Sequence, residues 1–325
     1  MSALNAQLSS VEESVFGTSP VTTRFDEFVS EKIVATYGRV ESNGMRAGRL
    51  YKTEDRFVPY CIGAAGDIVL EPGSKGFGFW LRQMLGGTPV TTGTATGYTH
   101  TIVPADLIGR SFTAQIGRPF YVGSSVQAFT YAGGKVASWT LANAVNGNLL
   151  ATLSCDFISE STAVALAAAS YPTALQNFSW IGGTVTIGGT QVDVFDASLT
   201  GDNGLVTDRR YLRGSAVKKE QVQDDYRAGT FALKADFDST AQRDRVASAT
   251  AAGAIATIVL RWEAPTVIPG GAIKPSLTAT ITARLDKFEA NVSGPASLDQ
   301  ALSGVYLGSS ALSIAYVTAD ATTLA

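Results

Sequence analysis

A chain of 325 residues is long enough for one large or two medium domains, and we expect two. Charged residues make up only 16% of the chain and hydrophobic residues 45%, so a monomer would be short of surface charge, and we expect partners to cover much of its surface. The net charge is −3 and no block of Lys or Arg occurs, which argues against tight or sequence-specific binding of nucleic acid.

The two cysteines, Cys61 and Cys155, match no metal-ligand or redox spacing, so we predict that both are buried as small hydrophobic residues. The N-terminus has no basic stretch followed by an apolar run. The longest weakly polar segment, residues 249–260, is too short to cross a bilayer. We therefore expect synthesis in the cytoplasm and no membrane span.

Residues 1–30 form a predicted N-terminal arm without a sustained helical or strand period. The arm carries aromatic residues, and terminal segments are ordered when something ties them down. It packs either on its own domain or on a neighbouring subunit. For the second possibility the candidate contact residues are Phe16, Pro20, Phe25 and Phe28.

The first predicted domain spans residues 31–158 and begins with two strands around a turn at residues 41–44. Residues 66–71 then alternate, with Ile68 and Leu70 on one face, which is typical of a strand with one wet side. Ser74 is a candidate cap for a short helix that ends at Gly86. The apolar face of this helix is formed by Phe77, Trp80, Leu81 and Met84.

Residues 88–101 are rich in Thr and Gly and predict a loop, which contains His100. Strands are predicted at residues 111–116 and on both sides of a turn at residues 143–147, and the domain closes near Phe157. An Ala-rich linker, residues 159–178, follows.

The second predicted domain spans residues 179–325. Its first element is a hairpin with a turn at Gly188 and Gly189, and a second reversal is expected at residues 201–204. A strand at 226–237 is followed by a short helix capped by Asp238, and the remaining strands are predicted at 255–262, 277–285 and 312–316.

The elements of the second half recur in the order of the first. Gly44 matches Gly204 and Gly66 matches Gly229, although residue identity is low and common β patterns also recur by chance. We predict a mainly β protein with a duplicated domain. Each copy is an antiparallel β-sandwich or half-barrel with a short flanking α-helix.

Signals for an enzyme are weak. A Ser-His-Asp arrangement would need His100, the only histidine, which we interpret as a polar surface residue. Gly73, Gly76 and Gly78 are not spaced as a phosphate loop, and the mixed charges of residues 218–227 indicate a solvated face. We predict no catalytic, cofactor or metal site.

Five stretches of the chain carry a resemblance: FGTSPVTTRFDEF, GDIVLEPGSKGFGFWLRQMLG, FTYAGGKVASWTLA, ASYPTALQNFSWIGGTVTIGGTQV and SLTGDNGL. They resemble the tail tube (major tail) proteins of long-tailed bacteriophages, from about Phe16 to the C-terminus and most strongly up to residue 237. The resemblance implies a β-sandwich with a flanking helix and a structural role in the virion. It further implies rings that stack into a hollow tube, with six-fold symmetry, or three-fold where each chain holds two domains. The implied partners are other copies of the chain and the tape measure, tail terminator and distal tail proteins.

If the halves are duplicates, three chains imitate a hexamer, and sheets that pair between neighbours close around a channel without exposed edges. Head-to-tail stacking of the rings then gives a filament. Double-stranded DNA must pass through the channel transiently and without specific contacts, so a neutral or mildly acidic lining is favoured. The candidate lumen-facing residues are Asp67, Glu71 and Lys234, which together predict a lining of mixed sign.

The alternative is a carbohydrate-binding β-sandwich, such as an adhesin or tail-tip module. Exposed Trp or Tyr clusters would favour it, but all four Trp residues lie in helix or strand patterns that predict a core position.

Overall fold

A computed structural model describes residues 3–94, 96–122, 125–292, 294–295, 298–308 and 311–323. The strands of the N-terminal part are β1 (Gln7–Glu12), β2 (Arg24–Asp26), β3 (Phe28–Glu31), β4 (Val34–Glu41), β5 (Phe57–Leu70), β6 (Val90–Thr94), β7 (Gly97–Ile102), β8 (Phe112–Pro119), β9 (Val126–Ala144), β10 (Leu150–Phe157) and β11 (Ser159–Ser161). Those of the C-terminal part are β12 (Gly183–Ile187), β13 (Thr190–Val192), β14 (Val194–Asp202), β15 (Leu205–Val206), β16 (Val222–Gln223), β17 (Ala228–Asp236), β18 (Ile255–Glu263), β19 (Ser276–Glu289), β20 (Asp299–Tyr306) and β21 (Leu312–Thr318). The α-helices are α1 (Gly78–Leu85), α2 (Ala241–Val246) and α3 (Ala251–Ala254).

The N-terminal strands form two layers that share the long strand β9. One layer has the order β4–β5–β10–β9, with β3 continuing the β4 edge along β5. The other has the order β2–β1–β8–β9–β11. Strand β9 serves both because its first half pairs with β8 and its second half with β10.

The C-terminal strands pair in the same series. One layer has the order β14–β17–β20–β19, and the other has the order β13–β12–β18–β19–β21. Strand β19 also serves both layers, with its first half on β18 and its second half on β20. The mainly β prediction is therefore confirmed.

Two pairings join the halves. Strand β14 pairs with β9, which produces one antiparallel sheet of eight strands in the order β4–β5–β10–β9–β14–β17–β20–β19. We call it the long sheet. In the other layer, β21 pairs with β7 of the β6–β7 hairpin. The buried residues form one contiguous core through both halves. Among the described residues the two ends of the long sheet do not pair with each other, so the monomer contains no closed barrel.

Aromatic rings fill the core between the layers of the first half. Phe112 of β8 lies edge-on to Phe157 of β10 at 5.4 Å, and Phe79 and Trp80 of α1 contact the same Phe112 ring at 6.1 and 5.5 Å. Such edge-to-face packing favours a fixed arrangement of the helix on the sandwich.

Several sequence predictions are confirmed in this fold. Gly188 and Gly189 have positive φ and connect the β12–β13 hairpin, and Gly86 ends α1 in the left-handed conformation. Ile68 and Leu70 are buried while their neighbours are partly exposed. The predicted apolar face of α1 is buried.

Other predictions of local structure are wrong. The strand that pairs with β4 begins at Phe57 and not near Met45, because residues 42–56 form a long loop. Ser74 does not cap α1, since its hydroxyl accepts a hydrogen bond from the Gln176 amide. Asp238 does not cap α2, whose N-cap position is Thr240.

The segment predicted as a loop around His100 is the β6–β7 hairpin. His100 is fully buried, so its interpretation as a surface residue is wrong. Its Nδ1 lies 2.8 Å from the Thr91 hydroxyl and its Nε2 2.9 Å from the Asp320 carbonyl. A Thr- and Gly-rich composition concealed the strands because their alternation is between small residues of similar polarity.

Candidate self-assembly and channel surface

The long sheet has one face against the core and one face of small polar residues, which we call the polar face. Direct register pairs place Thr152, Thr140, Thr200 and Thr230 side by side across four neighbouring strands. The Thr140 and Thr200 hydroxyls are 3.4 Å apart. In the next row Ser154 and Ser138 lie between Asp67 and Asp202. This face is therefore hydroxyl-rich and continuous across both halves.

Carboxylates outnumber basic groups on the polar face. Lys234 lies on it and forms an ion pair with Asp299 at 2.8 Å. Two of the three predicted lumen residues, Asp67 and Lys234, thus share one surface. Register pairs and strand alternation place the acidic side chains Asp67, Asp196, Asp202, Asp236, Asp299 and Glu289, and the basic side chains Lys32, Lys234, Arg284 and Lys287, on this side.

Glu71, the third predicted lumen residue, follows the end of β5. Its carboxylate accepts hydrogen bonds from the amides of Asn148 at 3.2 Å and Asn177 at 2.8 Å. The side chain therefore connects the β9–β10 turn to the segment before β12.

The pairing of β9 with β14, which we call the internal seam, shows how the two halves fit together. Backbone hydrogen bonds close both ends of the ladder. The backbone amide of Asn203 donates to the Ala137 carbonyl at 2.8 Å, and the backbone amide of Val145 donates to the Phe195 carbonyl at 3.0 Å. Trp139 lies against Gly201, where a Cβ would come within 2.4 Å of the indole ring. A large ring on one strand thus requires a small residue on the other.

Both ends of the long sheet are open. Among the described strands, β4 pairs only with β5 at one end, and residues 285–289 of β19 pair only with β20 at the other. The Lys32 amide donates to Asp67 of β5 at 2.9 Å, so by strand alternation the amide of Ala35 points away from the sheet. Open edges of this kind are templates for pairing with another chain.

The β4–β5 hairpin extends beyond the sandwich and exposes apolar side chains. Val34 and Tyr37 are each 65% exposed and Met45 is completely exposed. Further exposed apolar residues of the hairpin are Val40, Leu50, Tyr51, Phe57 and Val58. Several exposed apolar side chains on one hairpin are typical of an interaction surface.

Residues 203–227 of the second half fold against the first half. Lys218 is buried and its Nζ lies 2.6 and 2.7 Å from the two carboxylate oxygens of Asp156, and the Gln221 amide donates to the same carboxylate at 2.6 Å. Nearby, the Lys135 ammonium donates to Glu220 at 2.7 Å. The prediction of a solvated face at residues 218–227 is wrong for Lys218 and Gln221.

Replacing Lys218 with Met should destabilise the protein by about 3–5 kcal/mol at pH 7, because Asp156 would keep a buried and unpaired charge. Burial raises the pKa of Asp156, and the hydrogen bond from Lys218 lowers it. Without Lys218 that pKa rises further, so protonation relieves the penalty and the loss of stability should shrink as the pH falls from 7 toward 5. Urea unfolding at both pH values measures this.

The matched control is Lys52→Met, which breaks the exposed ion pair of Lys52 with Glu41 and should cost at most about 1 kcal/mol. Equal losses for the two variants, or a loss for Lys218→Met that does not depend on pH, would contradict the assignment.

The N-terminal arm is folded on its own chain. Strand β1 pairs with β8 and β2 pairs with β1. Phe25 is 4% exposed and lies edge-on to Tyr171 at 6.0 Å, whereas Phe16, Pro20 and Phe28 are partly exposed. A contact of these four residues with a neighbouring chain remains a prediction.

Other classes of site find little support. Cys155 is buried as predicted, and its burial raises the pKa of the thiol. Cys61 is partly exposed, so the prediction that it is buried is wrong. In the part of the chain that the structure describes, His, Cys, Asp and Glu side chains form no group of three suited to a metal ion. Trp80, Trp139 and Trp262 are buried as predicted, but Trp180 is 41% exposed. A single exposed Trp does not favour the carbohydrate-binding alternative.

The seam residues Trp139 and Gly201 and the edge residue Ala35 were not identified from the sequence. Trp139 was predicted only as a core residue, and nothing local to it indicates the partner strand. A possible signal was the Gly201 position within an alternating strand, since an isolated glycine there often marks a close approach.

No described helix is long and apolar enough to span a membrane. A search of curated proteins found no match to the chain. The family model for phage tail tube proteins matches residues 3–305, which is most of the sequence and includes β1 to β19 and nearly all of β20. The chain therefore belongs to the phage tail tube protein family.

Proposed function

We propose that this protein is the repeating subunit of a phage tail tube, in which three chains form a ring, rings stack head to tail, and the genome passes through the bore to the host. The observation that carries the proposal is the long sheet, which combines two like halves and is open at both edges. Unpaired sheet edges favour aggregation unless they are covered. Pairing with the edges of further copies in a closed ring covers them.

The proposed domain duplication is supported by matching irregularities in the strands. Ala137 is the unpaired bulge residue between β9 and β10, and Asp286 is the bulge residue at the same place between β19 and β20, 149 positions later. Val29 is the bulge residue of β3 on β5, and Phe195 that of β14 on β17, 166 positions later. Bulges are specific features, so two matched ones support a repeat more strongly than strand order does.

The pairing also adjusts the alignment of the halves. Cys155 opposes Gly66, and its counterpart Gly304 opposes Phe231, so Gly66 matches Phe231 and not Gly229. In this proposal the domains span residues 31–158 and 179–325, with residues 1–30 as the arm and 159–178 as the linker. The linker residues pack on the first half, for example through Gln115, which donates to the Ala165 carbonyl at 3.0 Å.

Three long sheets joined edge to edge give a barrel with more strands than a porin. Because barrel diameter grows with strand number, this barrel is wide enough to enclose an aqueous channel. In this arrangement the polar face lines the bore. Its hydroxyls and its excess of carboxylates offer DNA phosphates few cationic partners, so the genome slides without being retained.

The remaining surfaces have roles in the same proposal. The exposed apolar side chains of the β4–β5 hairpin are covered by other copies in the tube, either within a ring or between rings. Tape measure, tail terminator and distal tail proteins are the further partners. The protein acts in the virion after synthesis in the host cytoplasm.

Electron microscopy of the concentrated protein, combined with light scattering, tests the proposal. We expect rings or tubes and a ring mass of three chains. A protein that stays monomeric at high concentration would contradict it.

The channel lining leads to a separate expectation. The double variant Asp67→Lys/Asp196→Lys, assembled with a short DNA duplex present, should retain DNA that is protected from nuclease, because lysines on the polar face contact phosphates. The salt dependence of retention should steepen by about 0.9 in log–log slope for each phosphate contacted.

The control Asp238→Lys/Asp244→Lys makes the same charge change at and before α2, away from the polar face, and should protect no DNA. If wild-type tubes protect DNA as well as the Asp67→Lys/Asp196→Lys tubes do, the polar face is not a repelling lining.

A further inference from the structure

The internal seam contains a template for the contact between subunits. We infer that the second half of β19 pairs with β4 of the next chain in the register that β9 adopts with β14, so that Phe288 of one copy lies opposite Ala35 of the next. This inference rests on the proposed ring of duplicated chains and specifies which atoms meet at its joints.

Strand β19 is the counterpart of β9. Their bulges at Ala137 and Asp286 coincide, and the strands on one side, β10 and β20, pair equivalently around them. Trp139 therefore corresponds to Phe288. The edge of β9 beyond β10 is occupied by β14, whereas the same edge of β19 is vacant among the described strands.

Strands β3 and β4 are together the counterpart of β14. The bulges at Phe195 and Val29 coincide, and both strands pair with an equivalent partner, β17 or β5. Gly201 therefore corresponds to Ala35. Its edge holds β9 in the internal seam, whereas the edge of β4 is open.

The two correspondences together give the register of the subunit joint. In the internal seam, Ser138 opposes Asp202, Trp139 opposes Gly201 and Thr140 opposes Thr200. The subunit joint then places Lys287 opposite Thr36, Phe288 opposite Ala35 and Glu289 opposite Val34, with one residue of each pair from each copy.

The side chains at the joint suit this register. Phe288 provides an aromatic ring where the internal seam has Trp139, and Ala35 is the second-smallest residue where the seam has glycine. Both side chains are partly buried against the core of their own half, so each lies at the rim of a core that a second copy would complete.

A groove continues the open edge beyond β4. Its volume is about 1060 Å³, and it is lined by residues that include Phe28, Ser30 and Arg118. In the internal seam the matching stretch of β14, residues 194–197, is paired with the end of β9. The Ile33 amide and carbonyl next to this stretch already bond to the Glu31 carboxylate at 3.1 Å and the Arg118 guanidinium at 2.8 Å, so the ladder of the joint ends at Val34 and Glu289.

The amide of Asn203 and, by alternation, that of Gly201 point toward β9, which makes Thr200 and Thr140 a pair without mutual backbone hydrogen bonds. The corresponding pair at the joint is Val34 and Glu289. Such pairs have Cα atoms about 4.5 Å apart, within the range that a disulfide spans.

The test is disulfide trapping of assembled rings in a Cys61→Ala background, which leaves only the buried Cys155. Val34→Cys/Glu289→Cys should form covalent species up to a closed trimer on a non-reducing gel, with more than half of the chains trapped. The matched control is Arg39→Cys/Glu289→Cys, because Arg39 is also exposed on β4 but would lie about 16 Å along the strand from the site opposite Glu289.

The outcomes separate the two proposals. Rings that assemble but do not trap Val34→Cys/Glu289→Cys, or that trap the Arg39→Cys control equally well, overturn the register while the ring stands. A covalent ladder that extends to six chains overturns the trimer and leaves the strand pairing. A wild-type protein that never assembles under the same conditions overturns the proposed function and the joint together.

Discussion

Replacing Ala35 with Pro should strongly weaken ring closure while the monomer still folds. The amide of Ala35 points away from β5, so proline removes a donor only from the open edge. The lost hydrogen bond and the bulk of the proline side chain should together weaken each joint by about 1–3 kcal/mol. The protein concentration needed for assembly should therefore rise by roughly ten- to a hundredfold. Sedimentation and electron microscopy measure the assembly, and thermal unfolding of the monomer measures the fold.

The control Ala35→Gly keeps the amide and should assemble at concentrations close to those of the wild type. If Ala35→Pro assembles normally, β4 is not a joint. A monomer that loses most of its thermal stability in Ala35→Pro would mean that the amide is used inside the chain, which contradicts its assignment to the edge.

Trp139 and Phe288 should separate folding from assembly. Trp139 is 3% exposed and fills the internal seam, so Trp139→Ala should lower the free energy of unfolding by about 3–5 kcal/mol. Phe288 packs on Phe237 at 5.8 Å and is only partly buried in the monomer. Phe288→Ala should therefore cost the monomer less than half as much and still prevent rings from forming.

Urea unfolding of monomers, together with light scattering of concentrated protein, measures both quantities for each variant. If Phe288→Ala leaves assembly intact, or if both variants destabilise the monomer equally, the equivalence between the internal seam and the subunit joint is wrong.

The sequence predicted well those features that depend on neighbouring residues. The alternation at Ile68 and Leu70 and the glycine pair at Gly188 follow from strand periodicity and from left-handed turn geometry. The helix of Trp80 was found through its apolar spacing, and its end through Gly86.

Features that depend on distant parts of the chain could not be predicted in this way. His100 is buried because Asp320 and Thr91 accept or donate its two hydrogen bonds, and Lys218 is buried because Asp156 lies opposite it. Asp320 is 220 residues from His100 and Asp156 is 62 residues from Lys218, whereas Thr91 lies nearby on the facing strand of the hairpin. A polar residue is predicted to be exposed unless the hydrogen-bond or charge partner that allows its burial is known.

In the candidate site, too, features set by neighbouring residues were predicted and features set by distant strands were not. Asp67 was selected by strand alternation and Lys234 as a matching position in the second half, and register pairs place both on the polar face of the long sheet. Phe288 and Ala35 were proposed as joint residues only from the paired strands, because the evidence for the proposed repeat lies in matching bulges and registers and not in residue types. Glu71 lies just beyond the end of its strand, where alternation no longer determines direction.

The most direct test of the central claim is a cryo-electron microscopy map of the assembled tube at a resolution that separates strands. We expect three chains per ring, one continuous sheet around the bore, and Phe288 of each chain opposite Ala35 of the next. A ring of six chains, or a β4 edge that faces solvent in the assembled tube, would contradict the account.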